Sequence, residues 1–238
     1  MMIKSLKRQK CIALLMDPDK YAPGDIKQLK EIKSEYLPDY IFIGGSLTSV
    51  HPDELILNIK ENFDIPVVLF PGSLLQLTDR ADIILLLSLI SGRNPDLLIG
   101  NHVIAAPHLK KMEIDIIPTG YILVNCGAKT SVEYMSQSEG IPSSKTDIAV
   151  ATAMAGEMLG LKLMYLEGGS GASYPVPPLM VKAVRDAVSL PLIVGGGLRK
   201  AEDIRKAYDA GADMVVLGNG YEDDPGLLEA ASKIRDEK

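Results

Sequence analysis

The chain of 238 residues has no excess of basic residues, and this absence excludes one broad class of partner. Lysine and arginine number 25 against 31 aspartate and glutamate residues, so the net charge is −6. Proteins that bind a nucleic acid backbone present a basic patch or stripe, so we expect no nucleic acid partner. Any phosphorylated ligand must be held locally, by backbone amides, by one or two lysines or by a metal.

Long apolar runs are also missing. The longest covers residues 83–90, is interrupted by Ser88, and is too short to cross a bilayer. The N-terminal segment Met-Met-Ile-Lys-Ser-Leu-Lys-Arg lacks the apolar core of a signal peptide. We therefore expect a cytoplasmic protein of enzyme size without a transmembrane segment.

Cysteine and histidine are scarce. Cys11 and Cys126 lack the spacing of a metal site, and we expect buried free thiols rather than a disulfide or metal ligands. The chain has only three histidines, and no two of them are four residues apart, which argues against a zinc site.

Two glycine-rich segments near the C-terminus are the most informative feature that is present. Residues 195–197 are all glycine and residues 218–220 read Gly-Asn-Gly; each segment follows an apolar run and precedes a helical pattern. Two such consecutive units form the phosphate cup of a (β/α)8 barrel, because the N–H groups of the last two loops converge on one anion. Glycine is required where a side chain would hold the backbone away from the phosphate oxygens. Ordinary tight turns of another parallel sheet are the alternative.

Apolar runs alternate with amphipathic helical patterns along the chain, as in parallel sheets that are covered by helices. The predicted strands are 11–16, 40–44, 66–70, 83–89, 114–124, 163–166, 190–194 and 214–217. The predicted helices are 24–35, 52–62, 146–159, 179–188, 201–210 and 225–235. Eight strands favour an α/β fold of the (β/α)8 TIM barrel type, in one domain over residues 1–238, rather than a doubly wound sheet.

Two parts of this pattern are irregular. Only a short segment separates the third and fourth predicted strands, so we expect the third helix to be irregular or missing. The Pro-Thr-Gly sequence at residues 118–120 is expected to split the fifth strand into two pieces.

Catalytic groups of such barrels lie at the C-terminal ends of the strands, where this chain has polar residues. Asp17 follows the first strand and Ser46 follows the second, and both supply oxygen ligands suited to Mg²⁺. The alternative for Asp17 is a turn or helix cap before Pro18.

The end of the sixth predicted strand carries a carboxylate and a donor-rich loop. Glu167 could act as a general base or hold a substrate hydroxyl, and a structural ion pair with a lysine is the alternative. Ser170 lies in the glycine-rich loop 168–171, which extends the anion cup. Three basic side chains could contact phosphates or simply face solvent: Lys20, Lys129 and Arg199.

Several motifs together resemble the geranylgeranylglyceryl phosphate synthase family, in family order and over nearly the whole chain. They are Asp-Pro-Asp-Lys at 17–20, Gly-Gly-Ser at 44–46, Gly-Tyr-Ile-Leu-Val-Asn at 120–125 with Gly127 and Lys129, Tyr-Leu-Glu-Gly-Gly-Ser-Gly at 165–171, Val-Gly-Gly-Gly-Leu-Arg at 194–199 and Leu-Gly-Asn at 217–219. The motif at 165–171 is the most specific, whereas many barrels share the glycine triplet. Gly168 departs from the family, which more often has alanine there.

The resemblance implies a Mg²⁺-dependent prenyltransferase that joins sn-glycerol 1-phosphate to a polyprenyl diphosphate as an ether. It implies that Asp17 and Ser46 bind the metal and that Glu167 and Tyr165 are catalytic. The residues that it assigns to glycerol phosphate are Tyr165, Leu166, Glu167, Gly168, Gly169, Ser170, Gly171, Gly196, Gly197, Gly218 and Asn219. It also implies a homo-oligomer, either a dimer or a hexamer, that contacts the membrane transiently to release its lipid product.

The donor and the reaction class have alternatives. Geranylgeranyl diphosphate is the expected donor, but bacterial relatives that use a heptaprenyl donor share the motifs. The prenyl tail needs an apolar groove, and the leucine- and isoleucine-rich mouth around the third to fifth strands is the candidate. Another phosphate-binding barrel, such as an isomerase, an aldolase or a flavin enzyme, and a non-catalytic phosphate-binding protein are the rival interpretations.

Overall fold

Parallel strands alternate with helices throughout residues 2–21 and 25–237, which are the residues that the computed structural model describes. The strands are β1 (Cys11–Met16), β2 (Tyr40–Ile43), β3 (Val67–Leu69), β4 (Ile83–Leu89), β5 (Asp115–Asn125), β6 (Ile141–Pro142), β7 (Leu163–Glu167), β8 (Leu192–Gly195) and β9 (Met214–Leu217). The helices are α1 (Met2–Leu6), α2 (Asp25–Glu31), α3 (Asp53–Asn62), α4 (Asn101–Leu109), α5 (Ser131–Ser136), α6 (Thr146–Met158), α7 (Pro178–Ala187), α8 (Ala201–Asp209), α9 (Asn219–Asp223) and α10 (Gly226–Asp236).

Eight of the strands in these two ranges close into a barrel, in the order β1-β2-β3-β4-β5-β7-β8-β9. Strand β1 pairs with both β2 and β9, and the pairing of β4 with β5 completes the ring. The predicted (β/α)8 barrel is therefore confirmed. The two-residue strand β6 is added to the side of β5, so the sixth, seventh and eighth predicted strands correspond to β7, β8 and β9.

The barrel has two apolar layers because successive side chains of a strand point to opposite sides. Ala13 and Phe42 belong to the cluster inside the barrel, whereas their neighbours Leu14 and Ile41 belong to the cluster beneath the helices. Helix α1 adds its buried side chains to the inner cluster. The two cysteines are buried and free, as predicted.

The third crossover lacks a regular helix, as predicted. In the described chain, the segment between β3 and β4 contains only a 3₁₀ turn, Leu74–Gln76. The buried side chain of Gln76 donates to the Gly45 carbonyl at 2.8 Å and accepts from the Gly72 N–H at 3.1 Å. This side chain therefore fastens the loops after β2 and β3 to each other.

The fifth strand is continuous, and the predicted break at residues 118–120 is wrong. Pro118 lacks an N–H, but its carbonyl accepts a hydrogen bond from the Lys162 N–H at 2.8 Å, which keeps the connection to the neighbouring strand. Gly120 gives space to the side chain of Met164, since a Cβ at Gly120 would lie 2.7 Å from the Met164 sulfur. The Pro-Thr-Gly sequence thus serves packing inside a strand rather than a turn.

Helix boundaries agree less well with the sequence pattern. Helix α2 ends at Glu31 because Lys33 has an extended backbone with ψ of 140°, and a separate 3₁₀ turn, Ser34–Tyr36, follows. The predicted start of this helix at Gly24 lies outside the described residues. Helices α1, α4, α5 and α9 were not predicted, nor was the π-helical turn Asp96–Gly100 before α4.

Candidate active site

The glycine-rich loops after β7, β8 and β9 lie side by side because these strands are neighbours in the barrel. The Ser170 hydroxyl, in the first loop, donates to Asn219 Oδ1 at 3.0 Å, in the third. Gly196 has a φ of 81°, which favours glycine, and a Cβ on it would lie 2.5 Å from the Gly169 nitrogen. The three loops therefore form one continuous surface of backbone and small polar groups.

Most of the predicted site residues line one cavity of about 820 Å³ at this end of the barrel. They are Asp17, Ser46, Tyr165, Glu167, Gly169, Ser170, Gly171, Gly196, Gly197, Gly218 and Asn219. Leu166 and Gly168 do not line it. The Leu166 side chain packs in the cluster beneath the helices, and the Gly168 N–H already donates to the Gly195 carbonyl at 2.9 Å.

Glu167 is a buried carboxylate at the edge of the glycine loops, with 6% of its surface exposed. Its Oε1 accepts a hydrogen bond from the Gly169 N–H at 2.5 Å. Burial raises the pKa of Glu167 from 4.5 to about 7, and the Gly169 N–H and the Tyr165 hydroxyl offset part of that rise. Among the described residues Glu167 forms no ion pair, so the structural alternative of a lysine partner is not seen. A carboxyl group with a pKa near neutrality is suited to proton transfer.

Tyr165 lies beside this carboxylate and is fully buried. Burial raises the pKa of its hydroxyl well above 10, and the charge of Glu167 adds to the rise. The hydroxyl stands near enough to affect the pKa of Glu167, yet it makes no hydrogen bond of good geometry within the described residues. A buried hydroxyl without a partner has the capacity to bind a ligand.

Asp17 and Ser46 lie on the opposite side of the cavity from β7, after β1 and β2. Asp17 Oδ1 accepts from the Asp19 N–H at 3.1 Å, so the turn role considered for this residue is real. Its second oxygen lies 3.1 Å from the position of a Cβ on Gly45, the residue before Ser46. Partial burial raises the pKa of Asp17, the Asp19 N–H and the charge of Lys20 offset part of the rise, and the charges of Asp19 and Glu222 add smaller increases.

The three basic candidates have different surroundings. Lys20 lines the cavity but is paired with Glu222 at 2.9 Å. Arg199 also lines the cavity and stands 3.9 Å from Asp223. Lys129 is exposed and does not line the cavity. A phosphate in this cavity would therefore meet two of the three basic side chains, Lys20 and Arg199, besides the backbone N–H groups of the glycine loops.

The rest of the same cavity is apolar. Its walls come from β4, from the turns after β2 and β3, and from the unpredicted helical segments 96–109 and 131–136. The large apolar side chains are Leu47, Phe70, Leu74, Leu75, Leu77, Leu86, Leu87, Leu89, Leu97, Tyr121, Val132 and Met135. The apolar groove expected around the third to fifth strands thus exists and opens into the glycine loops.

Sequence reasoning missed part of this wall. Phe70 and Tyr121 were within predicted strands, but a run that is apolar on both faces does not indicate which side chains point inward. His102 was set aside as an unpaired histidine, although it lines the cavity and lies 3.1 Å from the Ser88 hydroxyl. The signal that could have found Phe70 is its position directly after β3, at the end where barrels place functional groups.

The fold and this site define a class: a (β/α)8-barrel enzyme with an anion-binding glycine surface next to an apolar cavity. In the described residues no helix is both long and apolar enough to span a membrane. The sequence matches the PcrB family over residues 4–236, and the chain belongs to this family.

Relatives of known name agree with this assignment. The chain is 50% identical over 233 residues to the geranylgeranylglyceryl phosphate synthase of Spirosoma linguale, covering 97% of this chain and 94% of the relative. It is 49% identical over 227 residues to the enzyme of that name from Chitinophaga pinensis, covering 95% and 90% of the two chains.

A solved structure is also similar. The (S)-3-O-geranylgeranylglyceryl phosphate synthase of Thermoplasma acidophilum, in complex with its substrate sn-glycerol-1-phosphate, superposes with a TM-score of 0.91. It is 31% identical in sequence, and the match covers 100% of this chain and 97% of that chain. The resemblance carried by the sequence motifs is confirmed, and the chain is a prenyltransferase rather than an isomerase, an aldolase or a flavin enzyme.

Proposed function

We propose that this chain joins sn-glycerol 1-phosphate to geranylgeranyl diphosphate through an ether bond and releases diphosphate. The observation that carries the proposal is the single cavity in which the glycine loops, Glu167 and an apolar wall meet. The name of the relatives supports this product, and the substrate of the Thermoplasma enzyme supports this acceptor. A heptaprenyl donor is the alternative, because both donors share the diphosphate and differ only in the length of the tail.

The glycine loops would hold the phosphate of the acceptor. Gly196, Gly197 and Gly218 present backbone rather than side chains to the cavity, and Ser170 and Asn219 add a hydroxyl and an amide. Backbone N–H groups supply local positive polarity to an anion in a protein whose net charge is −6. The fixed phosphate then directs the free C3 hydroxyl of the acceptor towards Glu167.

Glu167 would take the proton of that hydroxyl. The C1–O bond of the donor breaks, its electron pair leaves with the diphosphate, and C1 becomes an allylic cation. A lone pair of the acceptor oxygen forms the new C–O bond, and its proton passes to the Glu167 carboxylate. The raised pKa of Glu167, about 7, suits a base that works near neutrality and then releases the proton. Tyr165, beside it, would orient the acceptor through its hydroxyl, which has no hydrogen-bond partner among the described residues.

Asp17 and Ser46 fit a Mg²⁺ ion at the mouth. They supply one carboxylate and one hydroxyl to the same cavity, and the charges of Asp19 and Glu222 add to the negative potential at Asp17. A set this small suits Mg²⁺, which commonly takes one or two protein oxygens and fills its other positions with water and phosphates. When bound there, Mg²⁺ would neutralise the charge of the diphosphate leaving group.

A donor panel tests the proposal. Purified protein with Mg²⁺ and labelled glycerol 1-phosphate is given geranyl, farnesyl, geranylgeranyl and heptaprenyl diphosphate in separate reactions. We expect a labelled ether and released diphosphate, with the highest kcat/KM for geranylgeranyl diphosphate. A higher value for the heptaprenyl donor would select the alternative, and no ether with any donor would reject the function.

The Asp17→Asn variant tests the metal assignment. Asparagine keeps the oxygen that accepts the Asp19 N–H but removes the negative charge, so we expect kcat to fall at least about a hundredfold. Calorimetric binding of glycerol 1-phosphate should stay near the wild-type value, which also reports correct folding. Near-normal Mg²⁺-dependent turnover in this variant would reject Asp17 as a ligand.

Three further properties belong to the proposal. We expect one catalytic domain over residues 1–238, a cytoplasmic enzyme and a homo-oligomer, dimer or hexamer, that contacts membranes transiently to release its product. Light scattering of the purified protein measures the oligomer, and co-flotation with lipid vesicles measures the membrane contact. A monomeric protein would contradict the expected oligomer. A protein that never floats with vesicles would contradict the expected membrane contact.

A further inference from the structure

Aromatic residues are few in this chain, and several of them meet in one place. The sequence has nine tyrosines, three phenylalanines and no tryptophan. The rings of Phe70 and Tyr165 are stacked with centroids 5.3 Å apart and planes 12° apart. Tyr121 is 5.4 Å from Tyr165 and 6.0 Å from Phe70, with its ring tilted to both. These three rings come from different parts of the barrel, after β3, in β5 and in β7.

The three rings, called here the aromatic wall, line the cavity of the proposed site. Phe70 is half-buried, whereas Phe42, whose ring lies 6.0 Å from that of Phe70, is fully buried in the barrel interior. Tyr165 and Tyr121 are also buried, so Phe70 is the ring of the aromatic wall that is partly exposed, and the two tyrosines pack behind it. Ordinary core packing explains Phe42 but does not require an aromatic ring at a surface that faces a ligand.

The position of the aromatic wall within the cavity is specific. Tyr165 lies next to Glu167. Burial is the main cause of the raised pKa values of Tyr165 and Tyr121, and the charge of Glu167 raises both further. Most of the other large side chains of the apolar region are aliphatic, chiefly leucines. An aliphatic tail needs only an apolar surface. Rings beside the proton acceptor instead lie at the reacting end of the donor.

The reacting carbon needs stabilisation that does not capture it. When the C1–O bond of the donor breaks, positive charge spreads over the allylic carbons, and a carboxylate or a tyrosinate would be a nucleophile towards them. The tyrosines of the aromatic wall are neutral phenols, because burial keeps their pKa values well above 10. The face of a neutral ring attracts a cation electrostatically, and the effect grows when water is absent.

We propose that Phe70 stabilises the allylic cation of the donor through the face of its ring, with Tyr165 and Tyr121 packed behind it to hold that ring in place. This inference rests on the proposed function and adds to it one catalytic residue, Phe70, and one positioning residue, Tyr121. The diphosphate leaves with the bonding electron pair, the Phe70 ring faces the positive carbons until the acceptor oxygen forms the ether, and Glu167 takes the proton. The glycine loops cannot serve this purpose, since their N–H groups carry the wrong polarity for a cation.

Fluorinated phenylalanines at position 70 test the proposal. Each added fluorine weakens the negative face of the ring while its size changes little, so the protein keeps its packing. We expect kcat with geranylgeranyl diphosphate to fall at each step from mono- to trifluorophenylalanine, by about tenfold over the series. KM for glycerol 1-phosphate and for the donor should stay constant.

Phe63 provides the matched control. It is also half-buried, but it lies after α3 and does not line the cavity. The same series at Phe63 should leave kcat unchanged. Equal kcat across the series at Phe70 would overturn the proposal. An equal fall of kcat with each added fluorine at positions 70 and 63 would overturn it as well.

Position 121 gives a second measurement. Tyr121→Phe keeps the ring and should retain most of kcat, whereas Tyr121→Leu should lose about tenfold. Equal activity of these two variants would contradict the proposal. If the wild-type protein forms no ether with any donor, the proposed function fails and takes this inference with it. If the wild type is active but kcat does not change with fluorination at position 70, the proposed function stands and only the role of the aromatic wall is rejected.

Discussion

The cavity has two halves that are built by different means. The glycine half consists of residues 169–171, 196–197 and 218–219, whose backbones pack so closely that Gly196 has no room for a Cβ. The leucine half consists of apolar side chains from β4, the loops after β2 and β3, the 3₁₀ turn Leu74–Gln76, the π-helical turn Asp96–Gly100 and helices α4 and α5. One half presents backbone to its ligand, and the other presents side chains.

The difference matches the two kinds of ligand that the proposed reaction joins. A phosphate has fixed size and charge, so rigid N–H groups bind it without a net positive charge on the protein. A prenyl tail has no polar group, so its binding depends on the area and length of an apolar surface. Substitutions in the glycine half should therefore affect the acceptor, and those in the leucine half should affect the donor. Glu167 and the aromatic wall lie between them.

The largest expected effect is at this boundary, from Glu167→Gln. Glutamine keeps the oxygen that accepts the Gly169 N–H but cannot accept a proton. We expect kcat to fall about 10²–10⁴-fold, as for the loss of a general base. Wild-type kcat should decline as the pH drops below about 7, where the carboxylate becomes protonated, and the variant should lose this decline. A modest loss of kcat with a higher KM for glycerol phosphate would show that Glu167 only orients the acceptor.

Stability provides the folding control for this variant. The pKa of Glu167 is raised in the folded protein, so its contribution to stability is present at pH 4 and is lost as the pH rises through about 7. Glutamine carries no charge at any pH. Glu167→Gln should therefore be more stable than the wild type at pH 8, by up to about 3 kcal/mol in the free energy of unfolding. Chemical denaturation at pH 5 and pH 8 measures the difference, and equal stability at both values would contradict the raised pKa.

A smaller effect is expected within the glycine half, from Gly218→Ala. A Cβ at Gly218 would meet nothing closer than Leu15 at 3.8 Å, so the added methyl fits within the protein. It would nevertheless stand between the backbone and a bound phosphate, and we expect KM for glycerol 1-phosphate to rise about ten- to a hundredfold. KM for the donor should not change.

Gly160→Ala controls for the general effect of a methyl on a loop glycine. Gly160 follows α6 and does not line the cavity, and no atom of the described residues lies within 4 Å of an added Cβ. Its φ of 87° makes alanine strained, so stability should fall while KM stays constant. An unchanged KM in Gly218→Ala would mean that the phosphate binds elsewhere.

The glycine half could be predicted from the sequence, because its signal is local. Residues 195–197 and 218–220 are glycine-rich directly after strands, and strand order brings the two segments together at the cavity. The same holds for the placement of Asp17, Ser46 and Glu167 at the cavity, since each ends a strand or follows one within three residues. Local motifs and a known topology were sufficient.

The leucine half could be located only roughly, because its signal is not local. Leu86 and Leu87 were in a predicted strand, but the partners that complete the wall come from α4 and α5, whose helical patterns were not recognised. Helix α4 follows a π-helical turn and contains Pro107, and α5 has only six residues, so neither shows a regular period. The predicted break in β5 failed for a related reason, since proline and glycine were interpreted without the packing around them.

The smallest effect is expected at the rim of the leucine half, from Leu75→Ala. Leu75 lines the cavity and is 86% exposed, so the free protein should not be destabilised by its removal. A donor tail that covers this side chain would lose about 1 kcal/mol of apolar contact, which corresponds to about a fivefold rise in KM for geranylgeranyl diphosphate. KM for glycerol 1-phosphate should stay constant. Leu179→Ala is the control, because Leu179 is 81% exposed on α7 and lies outside the cavity. If Leu75→Ala raised KM for the acceptor instead, or if both variants behaved alike, the division of the cavity into two independent halves would be wrong.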